Sequence, residues 1–312
     1  IGSKFGQTNL KKLFLLELNE INFDVVRYYL DKKIYLPGFN KIIKEGITTT
    51  EAEMEYQNLE PWIQWPSIHT GKTFGEHNVF RLGDFVCSSH QQFFEKVEKA
   101  GFSVGAVSPM NASNKLTAPA YFIPDPWTQT PCDDSYLSRR ITEAIVQAVN
   151  DNAMSKLTIK TIFSLVLVFI ALVKPSRYIP MARYAFQAVG KPWRKALFLD
   201  MLLYEFHKTL FKRQSPDFST LFLNAGAHIQ HHYFFNSPFV DSPDLNNPSW
   251  YVSKDDDPFL EMLKVYDAML LDLINLPFTE VIIATGLSQK PYEQLKFYYR
   301  LKDHRMFLED VG

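Results

Sequence analysis

The segment that decides the fold spans residues 221–233 and reads Leu-Phe-Leu-Asn-Ala-Gly-Ala-His-Ile-Gln-His-His-Tyr. A short apolar run, typical of a buried strand, ends in a turn of small residues, and three of the eight histidines of the chain follow within five residues. Open α/β sheets hold their chemistry at the carboxyl ends of their strands. The segment therefore predicts a strand with a functional site at its end, and a histidine-rich surface loop is the alternative.

The spacing of the histidines indicates a metal site. His228 and His232 are four residues apart, so a helical turn brings both to one face. Neutral imidazole is the commonest metal ligand among side chains. We predict that His228 and His232 bind a metal ion, and a polar rim or hydrogen bonding to substrate is the alternative. His231 points elsewhere on such a turn, and we assign it to substrate binding or to a surface position.

Other apolar runs extend the strand prediction along the chain. Residues 12–18, 102–107, 219–223 and 280–284 predict strands, and the amphipathic stretches between them predict helices. Strands that alternate with helices indicate an α/β fold with a mostly parallel sheet sandwiched by helices.

The sequence pattern changes in the region between the runs at 102–107 and 219–223. This region looks helical throughout, so we predict an α/β domain formed by residues 1–133 and 219–312, with a helical insertion or cap at 134–218. The insertion contains the longest apolar run, Phe163 to Val173. This run is shorter than the about 20 residues that span a bilayer. It predicts a buried or interfacial helix and would allow a peripheral contact with a membrane.

Composition excludes some partners. The chain has 312 residues, 46% of them hydrophobic, and a formal net charge of −1. This is globular composition without the positive field that attracts nucleic acid, so we expect no nucleic-acid partner. Two cysteines are too few for a disulfide framework, which favours a cytoplasmic location. The sequence leaves open whether a leader was removed, and it leaves the oligomeric state open.

Several segments, taken in order, resemble the alkaline phosphatase superfamily, most closely its type I phosphodiesterase/nucleotide pyrophosphatase branch. They are residues 15–26, 36–47, 65–71 with 76–79, and 93–107. The histidine segment falls where that family has a metal-binding Asp-x-x-x-His. The resemblance implies an alkaline phosphatase-like fold and metal-assisted hydrolysis or transfer of a phosphate (or sulfate) ester. The substrate class would be a small molecule or glycan phosphoester, such as a nucleotide-linked sugar.

The chain departs from the family pattern at three places. Pro61 occupies the position of the family's nucleophile, Asn19 replaces a metal-binding Asp, and residues 285–288 replace an Asp-His pair. These departures predict a divergent member with an altered nucleophile and second metal site. One ion could remain, held by His228 and His232 with a carboxylate from Glu17 or Glu60; Zn²⁺ or Mn²⁺ is expected, and Ca²⁺ or Mg²⁺ is the alternative.

The remaining candidate residues flank these segments. Glu60 precedes Pro61 at a predicted helix start, so it is either a catalytic base or ligand, or an acid that stabilises the helix dipole. Glu17 lies in a strand that should be buried, where a carboxylate needs a partner, and we predict a catalytic or metal-binding role for it. Ser67 is an alternative nucleophile.

Substrate binding is predicted for residues near these positions. They are Asn19, Trp62, Trp65 and His231, and the two tryptophans could instead be core residues. Two other functions remain open from the sequence. One is a catalytically degenerate member that binds a ligand, and the other is a membrane-associated transferase of surface-polysaccharide assembly.

Overall fold

The computed structural model describes residues 11–153, 159–295, 301 and 303–311. The described chain forms an α/β fold built on one sheet. Its strands are β1 (Lys12–Leu18), β2 (Val104–Val107), β3 (Tyr121–Ile123), β4 (Phe218–Leu223) and β5 (Thr279–Ala284).

Twelve helices are described around this sheet. They are α1 (Phe23–Asp31), α2 (Pro37–Glu45), α3 (Pro61–Thr70), α4 (Phe74–His77), α5 (Phe93–Lys99), α6 (Tyr136–Ala153), α7 (Ile159–Leu172), α8 (Pro175–Phe186), α9 (Trp193–Gln214), α10 (Ala225–Tyr233), α11 (Pro258–Ile274) and α12 (His304–Val311). Short 3-10 turns cover Tyr56–Asn58, Asp84–Cys87 and Phe234–Asn236. None of the described helices is both long and apolar enough to cross a membrane.

The sheet has the order β3-β2-β4-β1-β5, and all of its described strand pairs are parallel. Leu16 of β1 lies between Leu221 of β4 and Ile283 of β5. This confirms the prediction of a parallel sheet. It also means that the carboxyl ends of β1, β4 and β5 lie side by side along one side of the sheet, which we call the carboxyl edge.

Alternation along β1 assigns its residues to two layers. Phe14, Leu16 and Leu18 belong to the main core cluster, with residues of α1, α2, α9, α10 and α11. Leu15 lies on the opposite face, in a smaller cluster with Phe94 of α5. Helices therefore cover both faces of the sheet, as the alternating sequence predicts.

The region predicted as a helical insertion consists of four consecutive helices, α6 to α9, between β3 and β4. Its last helix, α9, is part of the main core: Leu203, Phe206 and Leu210 are buried there with the sheet residues. The helical region is therefore joined to the α/β domain through α9. β4 begins at Phe218, one residue before the predicted boundary.

Candidate functional site

Three segments meet at the carboxyl edge of the sheet. Asn19 and Glu20 follow β1, Asn224 follows β4, and Thr285 follows β5. The backbone N–H of Asn19 donates to the carbonyl of Leu223 (3.1 Å), and that of Glu20 donates to the carbonyl of Thr285 (2.9 Å). These bonds continue the ladder beyond the strands and fix the first residues of each turn. This is the edge at which parallel α/β sheets carry ligand sites.

A chain of hydrogen bonds orients Asn19 in this edge. The indole Nε1 of Trp65, on α3, donates to Oδ1 of Asn19 (2.8 Å), and Nδ2 of Asn19 donates to Oδ1 of Asn224 (2.8 Å). Trp65 is fully buried. It therefore positions Asn19 from below and has no exposed ring face on which a sugar or base could stack.

Glu20 is the carboxylate that this edge holds most firmly. Its backbone has a positive φ of 62°, and its carbonyl accepts a hydrogen bond from Nε2 of Gln230 (2.8 Å). Its carboxylate accepts a short hydrogen bond from Gln289 and lies 3.3 Å from Nε2 of His231. A left-handed backbone at a non-glycine residue costs free energy and recurs at functional sites.

Glu60 brings a second carboxylate to the same place. It is the residue before α3, and Pro61 is the first residue of that helix, as the sequence predicts. Burial raises the pKa of the Glu60 carboxyl, the negative charge of Glu20 raises it further, and His231 lowers it. Because these charges act on one another, Glu60, Glu20 and His231 form one electrostatic cluster.

The amino terminus of α10 is capped by the protein itself. The carboxylate of Asp200, on α9, accepts from the backbone N–H of Ala225 (2.8 Å), and the hydroxyl of Tyr266 donates to the same oxygen (2.6 Å). The N–H of Gly226 donates to the Tyr266 hydroxyl (2.9 Å). Burial raises the pKa of Asp200 to about 6. A substrate anion would have to displace this carboxylate to dock on the helix terminus.

The predicted histidine pair forms on α10. The ring centroids of His228 and His232 are 4.6 Å apart, and Nδ1 of His232 is 2.8 Å from the hydroxyl of Tyr251. Burial, followed by the two neighbouring histidines, lowers the pKa of His228 to about 4. His228 is therefore neutral at pH 7, in the state that binds metal ions.

The third predicted ligand does not join that pair. Glu17 is fully buried on β1, where Oε1 accepts from the hydroxyl of Thr220 (2.7 Å) and lies 3.4 Å from Nε2 of His69. In the described part of the chain, no three His, Cys, Asp or Glu side chains are grouped so that they could hold a metal ion. Glu17, His228 and His232 do not form such a group among the described residues, and a metal ion at His228 and His232 stays a prediction.

Ser67 lies in a hydrogen-bonded pair that resembles an activated serine but has the opposite polarity. The backbone N–H of Val79 donates to Nδ1 of His77 (3.0 Å), so the neutral ring carries its proton on Nε2. That nitrogen is 2.9 Å from Oγ of Ser67, and it must donate to the serine. Burial lowers the pKa of His77, which keeps the ring neutral. His77 therefore cannot take the proton of Ser67.

The edge thus unites some predicted residues and adds others. Glu60, His231 and Asn19 come together, whereas Glu17 and Ser67 lie elsewhere. Trp62 is half-buried, with its indole N–H donated to the carbonyl of Phe80 (3.1 Å). The sequence interpretation missed three residues: Glu20, Asn224 and Gln289. A signal for the first two was available, because both follow predicted parallel strands.

Similarity to known proteins does not name this site. No family model matches the chain, and neither the curated proteins nor the solved structures contain a match to it. The alkaline phosphatase superfamily is therefore not identified by similarity, and the resemblance stays a prediction from the sequence.

Proposed function

We propose that the protein is a hydrolase or transferase acting on a phosphate (or sulfate) ester of a glycan or nucleotide-linked sugar, with Glu60 and Glu20 as an acid–base pair. The grouping of Glu20, His231 and Glu60 carries the proposal. The Glu20 carboxylate lies 3.3 Å from Nε2 of His231, and burial and the charge of Glu20 raise the pKa of Glu60. Two carboxyl groups whose environments differ in this way divide acid and base roles between them. Perturbed groups in such a cluster are candidates for catalysis.

The two carboxylates have different surroundings, which suggests their roles. Glu60 retains its proton to a higher pH than an ordinary glutamate, so it would act as the general acid toward a leaving oxygen. Glu20 is held by Gln289 and faces His231, so it is positioned to act as the base or to orient the attacking group. A transferase would use the same pair, with an acceptor hydroxyl in place of water.

The neutral polar groups around the pair suit a sugar. The partly exposed amides of Asn224 and Gln289 can bind hydroxyl groups, and the half-buried ring of Trp62 offers an aromatic surface at the start of α3. Asn19, predicted to bind substrate, is buried and instead positions the Asn224 amide.

A phosphate dianion placed directly against Glu20 would be repelled. The leaving oxygen is bonded to the phosphoryl group, so we assign protonated Glu60 to that oxygen. Glu60 donates its proton as the bond from phosphorus (or sulfur) to the leaving oxygen breaks, and Glu20 takes the proton of the attacking water or acceptor hydroxyl.

The alkaline phosphatase-like fold and a divalent ion at His228 and His232 belong to this proposal only as expectations from the resemblance. No step above passes through such an ion. A second candidate is a non-catalytic protein that binds a glycan in the same edge. The capped amino terminus of α10 favours it, because Asp200 already occupies the position where that helix would attract a phosphate.

A panel of substrates tests the proposal. Purified protein is assayed on aryl phosphate, diaryl phosphate and aryl sulfate esters and on nucleotide sugars, with Glu60→Gln, Glu20→Gln and Glu55→Gln. Glu55 is an exposed carboxylate of the same loop and serves as the control. We expect the first two variants to lose about 10²- to 10⁴-fold in kcat and Glu55→Gln to lose nothing. Turnover that survives both substitutions overturns the assignment, and glycan binding without any turnover favours the second candidate.

A further inference from the structure

We propose that the outer surface of α7 and α8 binds a membrane that carries anionic phospholipids. We call this surface the α7–α8 face. It consists of the exposed side chains of Phe163, Val166, Leu167 and Ile170 on α7 and of Ile179, Arg183 and Phe186 on α8. The proposal does not depend on the acid–base pair at the sheet edge.

The exposed residues of α7 form one continuous stripe. Positions 163, 166, 167 and 170 have the spacing of a single helix face, and each side chain is between 46% and 63% exposed. Val168 and Leu172, on the opposite side, are buried in the main core. The helix is therefore apolar on both sides, although the described residues cover only one of them. Large contiguous apolar surfaces of this kind mark binding sites.

The second helix carries an exposed apolar face of its own. Ile179 and Phe186 are 81% and 79% exposed and flank Arg183 on one face of α8, whereas Met181 on the other side is buried. The hydroxyl of Tyr178 donates to the carbonyl of Ile170 (2.8 Å), which fixes α8 against the end of α7. Both helices contact α9, so both exposed faces point away from it.

The charge of the residues around the α7–α8 face indicates that an anionic membrane binds there. Residues 159–199 contain seven lysines and arginines and no aspartate or glutamate, in a chain whose net charge is −1. Some of these cations pair within the protein, as Lys191 does with Asp256 and Arg194 with Glu261. Lys174, Arg183 and Lys195 are exposed. Apolar residues flanked by cations are typical of helices that lie in the headgroup region of anionic membranes.

A second copy of the chain fits this face less well. A symmetric dimer would bring the same surface of both copies together. Arg183 of both copies would then enter the interface, and residues 159–199 contain no acidic residue that could pair with it there. An anionic lipid surface satisfies both the apolar stripe and the positive charge.

Flotation of the full chain with vesicles tests the inference. The vesicles contain phosphatidylcholine alone or phosphatidylcholine with phosphatidylserine. We expect flotation only with the mixed vesicles, and weaker flotation when the ionic strength rises from about 0.1 M to about 1 M, which shortens the Debye length from about 10 Å to about 3 Å. The double variant Leu167→Asn/Ile170→Asn should lower the partition coefficient by more than about tenfold.

The control removes a similar apolar surface elsewhere. Tyr35 and Met54 are 84% and 98% exposed outside the α7–α8 face, and Tyr35→Asn/Met54→Asn should float like the unmodified protein. Circular dichroism melts verify that both double variants fold. No flotation with either vesicle, or equal losses in the two double variants, overturns the inference. So does sedimentation that reveals a dimer which only the α7 variant abolishes, because the face would then be a self-association surface.

Discussion

The indole N–H of Trp65 donates a 2.8 Å hydrogen bond to Oδ1 of Asn19, and this bond joins α3 to the end of β1. Because the oxygen of the amide accepts from Trp65, its nitrogen faces Asn224 and donates to it. A buried tryptophan thus fixes which end of the Asn19 amide points toward the neighbouring strand. The orientation of the Asn19 amide at the carboxyl edge therefore depends on Trp65 of α3.

Trp65→Phe should show how much this hydrogen bond contributes to the free energy of unfolding. The substitution removes the donor and leaves Oδ1 of the buried Asn19 without its partner, so we expect the free energy of unfolding to fall by about 1–3 kcal/mol. Urea titration measures the change. Trp62→Phe is the matched control, because its N–H lies in a half-buried position where water can replace it. Equal losses in the two variants would contradict this account.

Gly286 meets Trp65 from the β5 side, and Gly286→Ala should be more costly than an ordinary glycine replacement. A Cβ at this position would lie 2.8–3.1 Å from the indole ring, and the backbone has a φ of +70°. Gly71 has a φ of +68°, and a Cβ added there would meet nothing within 4 Å, so Gly71→Ala isolates the backbone cost.

We expect Gly71→Ala to lose about 1–2 kcal/mol through the left-handed backbone alone. Gly286→Ala should lose about 1–3 kcal/mol more because the indole must move. Thermal melts of both variants measure the difference. If the two glycines cost the same, the close packing of Gly286 on Trp65 is not what selects glycine at that position.

Ser67 should not react as an activated nucleophile. Val79 fixes the tautomer of His77, so the imidazole donates to the serine and cannot accept its proton. We expect no adduct on Ser67 after treatment with an aryl fluorophosphonate, as judged by mass spectrometry of the tryptic peptides. Ser67→Ala should also leave untouched any turnover that Glu60→Gln abolishes. A labelled Ser67 would show that the pair can reverse its polarity.

The sequence predicted elements more readily than contacts. The apolar runs located β1, β2, β4 and β5, because local propensity and burial act together there, and Pro61 located the start of α3. The short strand β3 was not predicted. The partners of Glu20 were not visible in the sequence. Gln289 lies beyond β5 in no periodic element, and it reaches Glu20 only because β5 lies beside β1 in the sheet. Strand order is a tertiary property, which no local pattern encodes.

The structure also differs from the sequence prediction in the directions of several side chains. The sequence placed Trp62 and Trp65 beside one another at a site, but α3 turns Trp65 into the core and leaves Trp62 half-buried. Burial of Glu17 was expected from its strand, whereas its partner was not. Thr220 lies on the adjacent strand β4, 203 residues away in the chain. A contact at that separation depends on the completed fold.

Glu17→Gln should therefore change stability little and leave metal binding unchanged. The carboxylate accepts from Thr220 through Oε1, while its Oε2 has no hydrogen-bond partner among the described residues. An amide oxygen in place of Oε1 can keep the contacts with both Thr220 and His69, so we expect a change of less than about 1 kcal/mol. Zinc titration by calorimetry provides the second measurement, with His228→Ala as the comparison. A loss of affinity in Glu17→Gln of about tenfold or more would identify it as a ligand or a supporting group.

His207 should make the fold sensitive to acid. It is fully buried on α9, where Nε2 lies 2.7 Å from Oγ of Ser219, and burial lowers its pKa from 6.5 to about 3. The unfolded chain therefore binds a proton below pH 6.5 that the folded chain binds only near pH 3. The stability that the neutral ring provides is complete above pH 6.5 and is lost as the pH falls toward 3.

Between about pH 7 and about pH 5 this single group should lower the free energy of unfolding by about 2 kcal/mol. His207→Leu should be less stable than the unmodified protein at neutral pH, but its stability should fall less steeply with acid by that amount. Tyr121→Phe is the matched control, because it removes a neighbouring hydroxyl and keeps the imidazole and its pH dependence. Urea titrations of the three proteins at both pH values decide the matter. An equal fall in His207→Leu and the unmodified protein would mean that His207 takes up its proton without unfolding the chain.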